Sequence, residues 1–248
     1  MVDEEIKENV SIKSKKTLPS VGKLLTDTWK IYKENFKQFF GIVIIPSVLV
    51  FVFGFFLVED NTILMIVSSI LTVILSYWLM ASLIFAFKNR GKIDIKTSLE
   101  FGIQKLFPLF FVSILYGIIV MAGIVLLVVP GIIFLIWFFF SNYVLIYQNK
   151  GGMSALLKSR KLVIGNWWGV FGRLLAMIII VSIIFAIISL PLSFLTFNGN
   201  INLFTSIIEL LINLFVLPFF TCYSGLLYEN LSEVKEDTEI KKDTNIQQ

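Results

Sequence analysis

The chain has 248 residues, of which 57% are hydrophobic and only 15% charged, with a net charge of +4 and a mean hydropathy of +0.87. That composition excludes an ordinary soluble domain and points to a bilayer as solvent. With no histidine and a single cysteine, Cys222, the chain cannot form an intrachain disulfide or build His–metal or Cys–His chemistry.

Residues 1–19 are polar and charge-rich and are expected to form a disordered cytoplasmic tail. They lack the apolar centre of a signal peptide, so the first apolar run is expected to act as the insertion signal. Ser20 is a suitable N-cap, and Val21, Leu25, Thr28, Tyr32, Phe36 and Phe39 recur at helical spacing, with the lysines mostly off that stripe. This predicts an amphipathic interfacial helix near 20–37. Two apolar runs follow, 39–58 and 62–87, each matching the roughly 20 residues that cross about 30 Å of hydrocarbon.

The same plan recurs twice. Thr97 and Glu100 suggest a capping box for an interfacial helix near 95–106, ahead of runs 107–129 and 131–148, which only Pro130 separates. Gly151-Gly152 breaks the chain before a third amphipathic segment, 152–164, with Met153, Leu156, Leu157, Val163 and Ile164 on its apolar face. Runs 168–190 and 201–228 complete the set. The fold class read from this pattern is an all-α integral membrane protein. Its six transmembrane helices form three units, each an amphipathic interfacial helix plus a two-span hairpin, within a membrane domain at 20–229. Residues 230–248 read as a disordered acidic cytoplasmic tail.

Charge sets the expected orientation. All 21 Lys and Arg residues lie before the first run or after the second, fourth and sixth; the other links hold none. Cationic segments stay on the cytoplasmic side, so both ends are expected inside, in a prokaryotic cytoplasmic membrane. Short basic loops beside spans are attracted to anionic lipid headgroups, which favours a lipid bilayer containing anionic phospholipid as partner, and no nucleic acid. Lys158, Arg160, Lys161 and Arg173 are the candidate headgroup contacts.

Within the spans, Glu209 is the one ionisable group away from a membrane edge, and Thr205, Ser206 and Asn213 lie about one helical turn from it. A charge at that depth costs roughly 2.5–3.5 kcal/mol on insertion scales, so such groups are paired, protonated or set in a polar cavity. The four residues form a candidate intramembrane polar site; the competing reading is a protonated Glu209 hydrogen-bonded within the bundle. Pro46, Pro191 and Pro218 favour kinks in three spans. Gly165, Gly169, Gly172 and Ala176 form a small-residue stripe expected to face another helix. Trp167 and Trp168 suit an interfacial anchor. No phosphate-binding loop, HExxH or GxSxG motif and no cluster of acids is present, so no catalytic residue, metal ligand or cofactor is expected.

One stretch carries a resemblance. Pro130-Gly131-Ile132, then Gly151-Gly152-Met153-Ser154-Ala155-Leu156, Lys158-Ser159-Arg160 and Gly165-Asn166-Trp167-Trp168 follow one another in an order that resembles a broad prokaryotic family of six-span proteins. That family includes the membrane domain of glycerophosphodiester phosphodiesterases and related stand-alone proteins. The opening Ser20-Val21-Gly22-Lys23-Leu24-Leu25 with Thr28-Trp29-Lys30 is similar to the start of the same family. The resemblance implies a membrane domain whose catalytic work, where there is any, belongs to a separate soluble barrel. The expected function is therefore non-enzymatic: a lipid-interacting protein, or a membrane scaffold for a protein partner or a second copy of itself. The alternative is a transporter or channel using Glu209 and the kinked spans.

Overall fold

The computed structural model describes residues 17–56, 62–195 and 210–246, and these are helical throughout with short connections. Helix α1 (Val21–Glu34) starts where Ser20 caps it, the Ser20 hydroxyl accepting from the Lys23 N–H at 3.3 Å. It buries Leu24, Thr28 and Tyr32, one per helical turn, and leaves Lys23, Lys30 and Lys33 exposed. Leu25, expected on the buried stripe, is only half-buried, because Leu24 faces the bundle. At Asn35 the chain turns by 78° into α2 (Phe36–Phe56).

After α3 (Thr62–Lys88) the short α4 (Ile95–Gln104) folds back along it. Its N-cap is Asp94, so the expected capping box of Thr97 with Glu100 does not form; Thr97 sits inside the helix. Close approach is possible because Gly102 has no side chain: a Cβ there would lie 2.9 Å from the Trp78 carbonyl oxygen. The Trp78 indole N–H donates to the Leu99 carbonyl at 2.9 Å, and Phe85 stacks on Phe101 with ring centres 3.7 Å apart.

Helices α5 (Leu106–Leu126) and α6 (Val128–Phe138) form a hairpin that turns on one extended residue, Leu127. Gly123 and Gly131 let the two backbones touch near this tip, where a Cβ on Gly131 would meet the Ile124 nitrogen at 2.9 Å. The returning helix breaks at Phe139-Phe140 and resumes as α7 (Ser141–Gln148). Next come α8 (Gly152–Val163), α9 (Trp167–Leu195), a π turn at Ile212–Val216, and α10 (Leu217–Ile246).

Four of these segments are long and apolar enough to cross a membrane: Thr62–Lys88, Leu106–Leu126, Val128–Gln148 and Trp167–Ile187; the bent pair α1–α2 makes a fifth if counted as one. The expected last span, 201–228, lies partly outside the described residues. The buried core is not spread evenly along these helices. Leu24, Ile84, Val112, Phe140, Tyr143, Val144, Leu162, Val170, Tyr223 and Leu227 gather where the short cationic helices pack, while the remaining lengths expose apolar side chains. Large exposed apolar faces of this kind mark contact with a membrane or with another protein.

Two sequence expectations fail here. The segment from 230 onward is not a disordered tail: α10 runs on to Ile246, with Leu231 and Val234 buried. Tyr223, Leu227, Leu231 and Val234 make one helical stripe, which the surrounding acids and lysines mask in composition, and α1 packs along α10. Nor does any helix among the described residues seat on the glycine stripe at the start of α9. Gly172 faces open space, Gly169 faces Arg173 and Leu18, and Gly165, with φ +90°, makes the turn before α9.

Candidate lipid-headgroup site

The site is built on α8, and a serine fixes its position. The break at Phe139-Phe140 strips helical partners from the Trp137 carbonyl and the Phe140 N–H. Ser159 serves both: its hydroxyl donates to the Trp137 oxygen at 2.7 Å and accepts from the Phe140 nitrogen at 3.2 Å. Ser159 is fully buried, and Ala155, Leu156, Leu162 and Val163 bury beside it, so α8 lies against α6 and α7. Met153, Leu157 and Ile164, expected on the same apolar face, stay exposed, because the buried face is centred on Ser159.

This docking turns the cations outward. Arg160 and Lys161 are exposed and Lys158 is half-exposed. The Arg160 guanidinium rests 4.6 Å above the Trp137 ring, a cation–π contact that fixes its direction and leaves its donors open. No carboxylate pairs with any of the three among the described residues. Trp137 also lines an apolar groove of about 560 Å³, together with Val129, Ile132, Ile133, Ile164, Trp167, Trp168 and Phe171. The volume lies within the range of single-ligand pockets, roughly 300–1,000 Å³. Lys235, from α10, donates to the Ile164 carbonyl at the same end.

Arg173, the fourth expected headgroup contact, is committed elsewhere. Its guanidinium donates to three backbone carbonyls: Pro19 at 2.8 Å, Leu18 at 3.0 Å and Gly169 at 2.6 Å. It pins the segment leading into α1 onto α9, satisfying the Leu18 and Pro19 carbonyls, which is a structural task. The Tyr223 hydroxyl completes the joint by donating to the Arg173 carbonyl at 2.9 Å.

Of the candidate intramembrane polar site, Glu209, Thr205 and Ser206 lie outside the described residues. Asn213 falls in the π turn, which directly precedes Pro218, a residue without an N–H to donate back along the helix. The structure does bring together a polar cluster that the sequence reading missed. Arg90 makes a two-pronged ion pair with Glu229, at 3.0 and 3.1 Å, and the Tyr147 hydroxyl donates to the same carboxylate at 2.9 Å. Burial pulls the Arg90 pKa down, but the hydrogen bond and charge of Glu229 outweigh it and raise the value above that of free arginine. Next to it, Lys88 donates to the Tyr147 carbonyl at 3.1 Å, and Gln148 to the Tyr228 hydroxyl at 3.1 Å. The cluster ties the end of α3 to α7 and α10. Its partners are 59 to 139 residues apart, so spacing along the chain gave no signal beyond an acid at the close of an apolar run.

Among the described residues, no three His, Cys, Asp or Glu side chains are placed to hold a metal. Comparison with protein-family models, with curated proteins and with solved structures gives no match.

Proposed function

We propose that this is a non-catalytic membrane protein that holds anionic phospholipid at its cationic face. The observation that supports this reading most directly is α8: three cations without acidic partners among the described residues, one of them aligned over Trp137, which also lines an apolar groove with Trp167 and Trp168. Phosphate oxygens accept hydrogen bonds from arginine in forked geometry, and juxtamembrane cations add about 1 kcal/mol each near an anionic surface. In this reading the chain sits in a prokaryotic cytoplasmic membrane. Its three units each place a short cationic helix at the cytoplasmic boundary, followed by a helical hairpin in the lipid, and both ends face the cytoplasm. The resemblance to the membrane domain of glycerophosphodiester phosphodiesterases agrees with a non-catalytic role, and a scaffold for a protein partner or a second copy is the form such a role takes.

The test is native mass spectrometry of protein released from nanodiscs containing equal anionic and zwitterionic phospholipid. The triple variant K158Q/R160Q/K161Q is expected to retain several-fold less anionic lipid than the natural chain. Equal retention would remove α8 from lipid binding.

A transport role has one observation in its favour, the π turn at Ile212–Val216, since such turns recur at functional sites. It predicts proton- or solute-coupled flux in liposomes that Glu209→Gln abolishes; wild-type flux in that variant would dismiss it.

A further inference from the structure

From the arrangement of α6, α8 and the start of α9 we infer a site for one whole anionic phospholipid, its phosphate on Arg160 and one acyl chain in the groove that Trp137 lines. The inference rests on the reading above that α8 binds anionic lipid, and it adds a defined chain site.

The first observation is that the cation and the groove share residues. The Arg160 guanidinium lies 4.6 Å above the Trp137 ring and has no hydrogen-bond or acidic partner among the described residues. Trp137 lines the groove, and so does Ile164. The Ile164 N–H donates to the Arg160 carbonyl at 2.9 Å, so one helical turn closes between them. Four residues of helix set Ile164 about 6 Å beyond Arg160 on the same face. The charge therefore adjoins the groove through α6 and α8 alike.

The second observation is the order of side chains along the groove. Helix α6 is continuous from Val128 to Phe138, and its lining residues run from Trp137 back to Val129, about 12 Å of helix at 1.5 Å per residue. Arg160 stands at the Trp137 end, with the forked donors that suit a phosphate. Trp167 and Trp168 join Trp137 there, since they open α9 directly after the Gly165 turn. Tryptophan's amphipathic ring favours the headgroup level of a membrane. Ile133, Ile132 and Val129 follow, and they are purely aliphatic. Cation, tryptophan and aliphatic side chain succeed one another as phosphate, glycerol ester and acyl chain do in the lipid.

A second apolar groove supplies the contrast. It has a volume of about 510 Å³ and is lined by Ile70, Val73 and Tyr77 of α3 and by Leu106, Phe107 and Phe110 of α5. The cation next to it in sequence, Lys105, is engaged: its ammonium donates to the Asn149 side-chain oxygen at 2.7 Å and lies over the Phe101 ring. An acyl chain gains little by leaving lipid for an equally apolar groove. The α3–α5 groove therefore takes chains without regard to headgroup, and the open Arg160 makes the Trp137 groove selective.

Photocrosslinking in nanodiscs tests this. Two probes carry the same mid-chain diazirine, one on phosphatidylglycerol and one on phosphatidylcholine, each at trace level in phosphatidylcholine discs. The readout is label at Ile132, Ile133 and Phe171 divided by label at Ile70, Val73 and Phe110. The phosphatidylglycerol probe is expected to give a ratio roughly fivefold higher, the factor one juxtamembrane cation supplies, and Arg160→Gln to abolish the difference. Ile132→Trp fills the groove from an exposed position, leaves every cation in place, and is expected to lower the ratio as well. Equal ratios for the two probes on the natural chain would overturn the inference. So would an absence of label in the Trp137 groove from either probe, the result if a second copy covered it. Anionic lipid whose retention depends on Lys158, Arg160 and Lys161 but which labels both grooves evenly removes the chain site and leaves the lipid face standing. Retention indifferent to those cations removes both.

Discussion

Replacing Arg90 by methionine removes the one cation that faces Glu229 in the joint between α3, α7 and α10. The carboxylate then keeps only the Tyr147 hydroxyl, at 2.9 Å. The side chains of Arg90 and Glu229 are 32% and 24% exposed, between a surface pair, worth about 0.2–1 kcal/mol, and a buried one, whose rupture costs about 3–5 kcal/mol. The forked geometry and part burial lift the pair somewhat above the surface range, and the residual exposure keeps it well below the buried one. A coupling of about 1–2 kcal/mol follows, which for a domain of this size lowers the apparent Tm by roughly 2–8 °C. The assay is a double-mutant cycle with R90M, E229Q and both together, by tryptophan fluorescence during thermal unfolding in one detergent. The double variant should be less destabilised than the sum of the singles by that coupling energy. Additivity within about 0.3–0.5 kcal/mol, the behaviour of independent sites, would refute the claim that this pair ties the three helices together.

Gly102→Ala should destabilise by about 1–3 kcal/mol, since the added carbon meets the Trp78 backbone oxygen at 2.9 Å, while Gly117→Ala, facing open space within a helix, should be neutral or stabilising by about 0.5–1 kcal/mol; equal effects in an unfolding series would contradict the packing. Arg173→Lys cannot reach three carbonyls with one ammonium, so amide exchange at residues 20–24 should accelerate as strongly as in Arg173→Gln, and full rescue by lysine would show that charge alone matters. The Tyr32 hydroxyl is buried without a hydrogen-bond partner among the described residues, and its pKa is pushed up to about 12 by burial, with Cys222 adding to it. The unfolded chain ionises this group near pH 10, the folded one only near 12, so its contribution to stability is intact below pH 10 and is lost between 10 and 12. Tyr32→Phe should flatten that decline and cost nothing at neutral pH; a loss above about 1 kcal/mol at pH 7 would mean the hydroxyl has a partner after all.

Sequence alone determined the helical class, the apolar segments and the places where short cationic helices interrupt them. Bilayer thickness sets a length, helical periodicity sets a stripe, and the absence of charge is visible residue by residue; Ser20, Gly151 and the run from Lys105 to Lys150 carry that information locally. What needed the folded chain were contacts between distant residues. Ser159 reads as one more polar residue among cations until Trp137 and Phe140 are seen to have lost their helical partners. Arg173 reads as a headgroup ligand until the carbonyls of Leu18 and Pro19 arrive beside it. Leu231 and Val234 sit in an acidic, lysine-bearing stretch whose composition suggests disorder, yet they continue a buried stripe once α1 covers α10. Gly102 and Gly131 matter, and Gly172 does not, because close approach depends on which helix crosses at that point.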